Sequence, residues 1–399
     1  MGGTEIIHLT KHKGKLYAAT GMWMDEPGDD PKPGPQILAL DQSDGAWRLE
    51  HEFSRSTLRI TVLAAVTFAT DGSGRVLEKP VSMLLAAPTG RTPEATVYSR
   101  DNVSGVWTAT ALSDHVGPVE VRSLLAHHDR VTGVDRLLAG CSPAGIVSGV
   151  YDPSAPGKIR WDTKAEFSLV VKRVMSIAEC NGAVHAVFAD SMCRWIDGPQ
   201  PRWEKVYTSS VPVTNPKNSG LRALTAILNP AGKGEVLLAA LEGENGRVLR
   251  LDPADGYKGR VELDVNEFLH EQWKVPVRYS ITAYNDMVSI VDPRTGETVH
   301  LLGIEGNFGP QANARRSLRG WDSGGWYLIR HADERYEIRQ IVDPTLKPMP
   351  LLIATRTIVV SPFAGETGKA IYFGGYDANF IPAHNTAWIF RADLATALG

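Results

Sequence analysis

Three cysteines in 399 residues, Cys141, Cys180 and Cys193, are too few and too odd in number for a disulfide framework. Buried thiols are expected instead. No apolar run approaches the roughly 18 residues of a membrane-spanning helix. The opening MGGTEIIHLTKHKGKLY also lacks the apolar core of a secretion signal. The chain is therefore expected either in the cytoplasm or as a secreted form whose signal has been removed, and no membrane partner is expected. No basic stripe or tail is visible and the formal net charge is −3, so nothing favours DNA or RNA as a bulk partner and none is expected. HExxH, paired CxxC and calcium-loop spacings are missing, so no motif announces a metal. The GSG at 72–74 and the GENG at 243–246 read as turns, because no helical pattern opens directly after them.

Amphipathic helical periodicity is almost absent as well. Hydrophobic residues still make up 43% of the chain and charged residues 22%, a globular composition with ample material for a core. Short β-rich runs recur between Gly, Pro, Asp and Asn. They form a degenerate repeat. A polar residue, usually Arg, opens an apolar run, a turn follows, and a second apolar run ends in small residues. Examples are RITVLAAVTF with VSMLLAAPTG, RSLLAHH with DRLLAGCSPAG, RVMSIAECNGAVHAVFADS, RALTAIL with EVLLAALEGENG, RYSITAY with TVHLLGIEG, and RTIVVSPF with KAIYFGGYD. EIIHLTKHKGKLYAATG fits with Glu5 in place of Arg. Most units add two more short strands around an Asp-, Gly- or Asn-marked hairpin, as in QILALDQSDGAWRLEHEF and RVLRLDPADGYKGRVELDV.

Units of four strands at a spacing of roughly 50 to 60 residues resemble the β-propeller superfamily. The resemblance covers the whole chain and implies an all-β, seven-bladed propeller of antiparallel blades. It implies one domain over 1–399, with blades near 4–54, 58–114, 119–169, 172–211, 221–267, 277–345 and 355–393. The last blade shows only three strands. A six-bladed ring or a double β-sandwich is the alternative. The motifs are general to the superfamily and carry no particular activity.

In such a meander the start of each first strand and the loop after each second strand share one face. Arg59, Arg122, Arg173, Arg222, Arg278 and Arg356 are then expected at equivalent positions around the channel mouth, with Glu5 in the seventh. A ring of guanidinium groups suits a carboxylate, sulfate or phosphate; the competing reading is that each Arg braces its blade. The long loops of the first, sixth and seventh units fall on the same face, which suggests an off-centre pocket. Trp23, Asp25, Glu26, Tyr376, Asp377, His384 and Asn385 would line it.

These residues suit an acidic, uronate-containing glycan. Trp23 and Tyr376 offer flat faces to a sugar ring. A lyase would use His384 or Tyr376 for proton transfer, while a hydrolase would draw two carboxylates from Asp25, Glu26, Asp377 and Glu242. A non-catalytic propeller binding a glycan or a protein is the alternative. A small-molecule hydrolase or isomerase is a further one, disfavoured in its metal-centred form because Arg occupies the channel mouth. No cofactor is firmly implied; the acidic run Asp25-Glu26 with Asp29-Asp30 would suit calcium. His127, His128 and His185 read as hydrogen-bonded strand residues, and His8 lies on the strand that carries Glu5.

Overall fold

The computed structural model describes residues 2–22, 33–90, 95–112, 120–142, 145–163, 165–166, 173–213, 220–309, 321, 324–350, 352–376 and 386–399. Its strands form consecutive antiparallel meanders. The first comprises β1 (Glu5–His12), β2 (Lys15–Gly21), β3 (Gln36–Leu40) and β4 (Arg48–Glu52). The second comprises β5 (Thr57–Thr70), β6 (Val76–Gly90), β7 (Thr96–Arg100) and β8 (Trp107–Ala111). The third is β9 (Glu120–His128), β10 (Asp135–Ser142), β11 (Gly145–Tyr151) and β12 (Ile159–Trp161). The fourth is β13 (Ser176–Cys180), β14 (Ala183–Phe188), β15 (Ser191–Ile196) and β16 (Arg202–Thr208). The fifth is β17 (Gly220–Leu228), β18 (Glu235–Glu242), β19 (Arg247–Asp252) and β20 (Lys258–Asp264). The helix α1 (Val265–Trp273) follows it, capped by the Asp264 side chain on the Glu267 amide. The sixth is β21 (Tyr279–Val291), β22 (Thr298–Asn307), β23 (Trp326–Arg330) and β24 (Tyr336–Gln340). The seventh has, among the described residues, three strands, β25 (Ala354–Val360), β26 (Ala370–Tyr376) and β27 (Trp388–Asp393), and ends in α2 (Leu394–Leu398).

The second strand of each meander carries a run of apolar and small residues that is buried, because neighbouring meanders pack on both of its faces. First strands stand side by side, and side chain-to-backbone hydrogen bonds join each to the next. His8 Nε2 bonds the Thr61 carbonyl at 2.8 Å, and Thr61 Oγ1 donates to the Val121 carbonyl at 2.7 Å. Ser123 Oγ donates to the Val174 carbonyl at 3.2 Å, and Leu224 N to Ser176 Oγ at 3.2 Å. Arg222 Nε donates to the Tyr284 carbonyl at 3.2 Å, and Asn285 Nδ2 to the Arg356 carbonyl at 3.4 Å. Leu9 N donates to Thr357 Oγ1 at 3.0 Å and returns the chain of contacts to β1. The inner strands therefore close into a ring.

Most inner strands carry a β-bulge near their start. The extra residue is Ile7 in β1, Arg122 in β9, Arg222 in β17 and Arg356 in β25, while β5 bulges at both Leu58 and Thr61. In β21 the register breaks between Thr282 and Met287, with Ala283 in the left-handed region at φ 51°. A bulge re-aims the residue it leaves unpaired, and in β9, β17 and β25 that residue is an arginine.

Candidate functional site: an arginine–tyrosine–glutamate cluster in the channel

Tyr284 is the centre of this cluster. It follows the bulged Ala283 of β21 and is buried. Arg222 and Arg356 lie over its ring, with Cζ 3.8 Å and 3.6 Å from the centroid. Arg356 is also 4.6 Å from the ring of Tyr376, so two guanidinium groups and two phenols alternate in one stack. Arg59 Nη1 donates to Tyr284 Oη at 3.3 Å.

Each of these arginines also has a carboxylate. Arg59 Nη1 lies 3.8 Å from Glu5 Oε1, and Arg356 Nη1 lies 3.5 Å from Glu305 Oε1. Arg122 Nε donates to Glu120 Oε1 at 2.7 Å. Arg222 Nη1 is bonded to Glu242, whose other oxygen accepts from Tyr279 Oη at 2.6 Å. Four guanidinium groups and four carboxylates thus balance inside one buried cluster. Burial would raise the Tyr284 phenol, but Arg356, Arg59 and Arg222 outweigh it and bring the pKa down to about 8. Burial lowers Arg122 to about 10 despite Glu120, and burial lifts Glu305 above the usual carboxylate range despite Arg356.

The expected ring of equivalent arginines is corrected by this geometry. Arg122, Arg222 and Arg356 share the bulged position. Arg59 and Glu5 lie two residues before the bulges at Thr61 and Ile7. Arg173 is half-buried ahead of β13, close enough for its charge to act on Glu120 and Arg122. Arg278 is exposed ahead of β21; the bulged position of its strand belongs to Ala283. A bulge adds one residue without altering composition, so sequence spacing could not place it. Tyr376 is buried at the end of β26, sealed against Arg356. Trp23, Asp25, Glu26, Asp29, Asp30, Asp377, His384 and Asn385 lie outside the described residues.

Tyr284, Glu120 and Glu305 were not anticipated. Glu305 had a signal: LEG at 241–243 and IEG at 304–306 end two second strands alike and place both carboxylates in the cluster. The histidines are engaged as strand residues. His127 contacts Glu179 at 3.1 Å and Asp197 at 2.9 Å, His128 contacts Asp135 at 2.7 Å, and His185 contacts Tyr257 Oη at 2.9 Å. The three cysteines are free and buried. Among the described residues no group of three or more His, Cys, Asp and Glu is placed to hold a metal, and no helix is long and apolar enough to cross a membrane.

No protein-family profile and no curated protein matches the sequence. Among solved structures, the fold is similar to that of Sqt1 from Saccharomyces cerevisiae, with a TM-score of 0.51 and 7% identity, over 98% of this chain and 96% of that one. This fold is a β-propeller. At that identity the likeness carries the architecture alone. The expectation of an enzyme cleaving a uronate-containing glycan, whether lyase or hydrolase, is corrected: the match is to a β-propeller and brings no enzymatic activity to this chain. The channel agrees with the correction, since four of the arginines meant to hold a substrate carboxylate already face glutamates of their own chain.

Proposed function

We propose that this chain is a non-catalytic β-propeller that holds a protein partner on the face at the channel mouth. The observation that supports this reading is the internal neutralisation of the channel. Arg59, Arg122, Arg222 and Arg356 each face a carboxylate, and two of them sandwich Tyr284. A cluster so arranged braces the blades, and recognition passes to the loops that the rigid ring carries. Trp23, Asp25, Tyr376, Asp377, His384 and Asn385, which the sequence pattern assigns to those loops or their borders, are the residues we propose for the contact.

The test is to recover the tagged full chain from its source cells and follow co-elution with a protein of fixed stoichiometry. Replacing residues 377–385 by a Gly-Ser segment of equal length abolishes co-elution, whereas Arg356→Met, if folded, retains it. Co-elution that survives the loop exchange overturns the reading, as does the absence of any stoichiometric protein.

A further inference from the structure

Among the described residues six of the meanders end in a fourth strand and the seventh has three. β27 pairs with β26 along one edge, from Gly375 opposite Trp388 to Ala370 opposite Asp393. Among the described residues no strand pairs with its other edge. We propose that this edge is the docking site for an extended segment of a partner protein, which completes the seventh blade as its fourth strand.

The sequence of β27 argues for a covered edge. Open edges are usually blunted by Lys, Pro or inward charge. Three of the outermost strands follow that rule, Arg48-Leu-Glu-His-Glu52, Arg202-Trp-Glu-Lys205 and Lys258-Gly-Arg-Val-Glu262, whereas β8, Trp107-Thr-Ala-Thr-Ala111, has no charge. β27 opens with the apolar run Trp388-Ile389-Phe390, and its charges, Arg391 and Asp393, are confined to its second half, where Arg391 pairs with Glu366 and Asp393. It resembles the interior third strand β23, Trp326-Tyr-Leu-Ile-Arg330, which is paired on both sides.

Space for the occupant is also present. A cleft of about 260 Å³ lies between β27 and the first blade, walled by Ile6, Leu38, Trp47 and Ile389. In the second, third and fourth blades the fourth strand brings a large ring to the inter-blade core: Trp107, Trp161 and Trp203. The occupant is therefore an extended segment of about six residues that alternates polar and apolar side chains, with one Trp- or Leu-sized side chain toward the cleft. Gly2 and Gly3 border the cleft, but no strand at either described end of the chain pairs with β27 along this edge. The Gly3 carbonyl accepts from Ala387 N at 3.0 Å, just ahead of β27. After β27 the chain turns into α2, where the carbonyls of Ala397 and Leu398 accept from Tyr327 and Arg294 of the sixth blade. Backbone pairing by an added strand supplies affinity, and the cleft supplies selectivity. This edge does not depend on the channel-mouth loops, so it stands or falls apart from the function proposed above.

The probe is a fluorescent peptide of the chain's own outer strand 202–208, RWEKVYT, added in trans to the full-length protein. Saturable binding is expected, and methylating alternate peptide amides should weaken it at least about tenfold. Hydrogen exchange at alternate amides of 388–393 should slow by about tenfold or more on binding. Ile389→Arg should weaken the peptide at temperatures where the variant's far-ultraviolet signal matches that of the folded wild type. Equal binding by the methylated peptide, or no saturable binding, overturns the proposal. So does protection of every β27 amide in the free monomer, which would mean that the edge is already covered. A dimer in sedimentation with protected β27 amides would assign the edge to a second copy and overturn it equally.

Discussion

Arg356 meets three side chains of the channel cluster, and its replacement shows how far a single residue matters. It lies 3.5 Å from Glu305 and sits between Tyr284 and Tyr376, nearly excluded from solvent. Arg356→Met keeps the bulk but leaves Glu305 without its cation. Removing one partner of a buried pair costs roughly 3–5 kcal/mol. The urea midpoint should fall accordingly; a loss below about 0.5 kcal/mol would show that Arg356 is not a brace. Burial also holds three imidazoles neutral, at about 4 for His8, His185 and His300 against an ordinary 6.5. Their folded pKa lies below the unfolded one, so the unfolded chain binds more protons between those values. Stability is then fully present above pH 6.5 and falls as the pH drops toward 4. Denaturant midpoints at pH 7.5, 6 and 5 should show this decline, and His185→Gln should flatten it. A midpoint independent of pH across that window would refute the assignment. At this scale the sequence was legible in part. Arg before an apolar run was visible, and so was the Glu242 carboxylate; Tyr284 was not, because only a register break in β21 turns it into the channel.

The elements show the same division. Strand order followed from apolar runs and Asp- or Gly-marked turns, because side-chain alternation and turn chemistry are local properties. Bulges are not local in that sense, since they exist only relative to a paired neighbour. The long hairpin of β5 and β6 illustrates the cost. Its lower half reaches beyond its own blade and lies against the third. Asp135 accepts the amides of Ala69 and Thr70, at 2.9 Å for the latter, and Asp135 N donates to Thr70 Oγ1 at 2.8 Å. Gly72 N donates to the Tyr151 carbonyl at 2.9 Å, while Phe68 stacks on Tyr151 with centroids 5.7 Å apart. Asp135→Ala strands two amides and should cost about 1–3 kcal/mol. Hydrogen exchange should quicken at Ala69 and Thr70 and stay unchanged in the fifth blade. Uniform acceleration throughout the chain would mean instead that the hairpin does not latch the two blades.

For the whole molecule the issue is how the ring stays closed. The described residues show no outer strand passing from one chain end to the other end's blade. The seam between the last and first blades is held by the bridge of Glu5 with Tyr376, by Leu9 with Thr357 and by Ala387 with Gly3. On its other side, the last blade is wedged against the sixth by α2. Leu394, Ala397 and Leu398 are buried there with Ile329, Ile341 and Leu352, and Tyr327 Oη donates to the Ala397 carbonyl at 2.7 Å. Deleting residues 394–399 returns two leucines and an alanine to water and orphans the Tyr327 hydroxyl. At about 1.5–3 kcal/mol per large aliphatic side chain, the loss is roughly 4–6 kcal/mol, a large share of a typical folding free energy. A closed ring shares that loss among all blades, since each inner strand is bonded to both neighbours. Thermal melting of the truncated chain should therefore remain one transition, displaced downward, with near-ultraviolet and far-ultraviolet signals coincident. Two separated transitions would show that the seventh blade unfolds alone and that closure does not couple the ring. An unchanged midpoint would show that α2 contributes nothing to the seam.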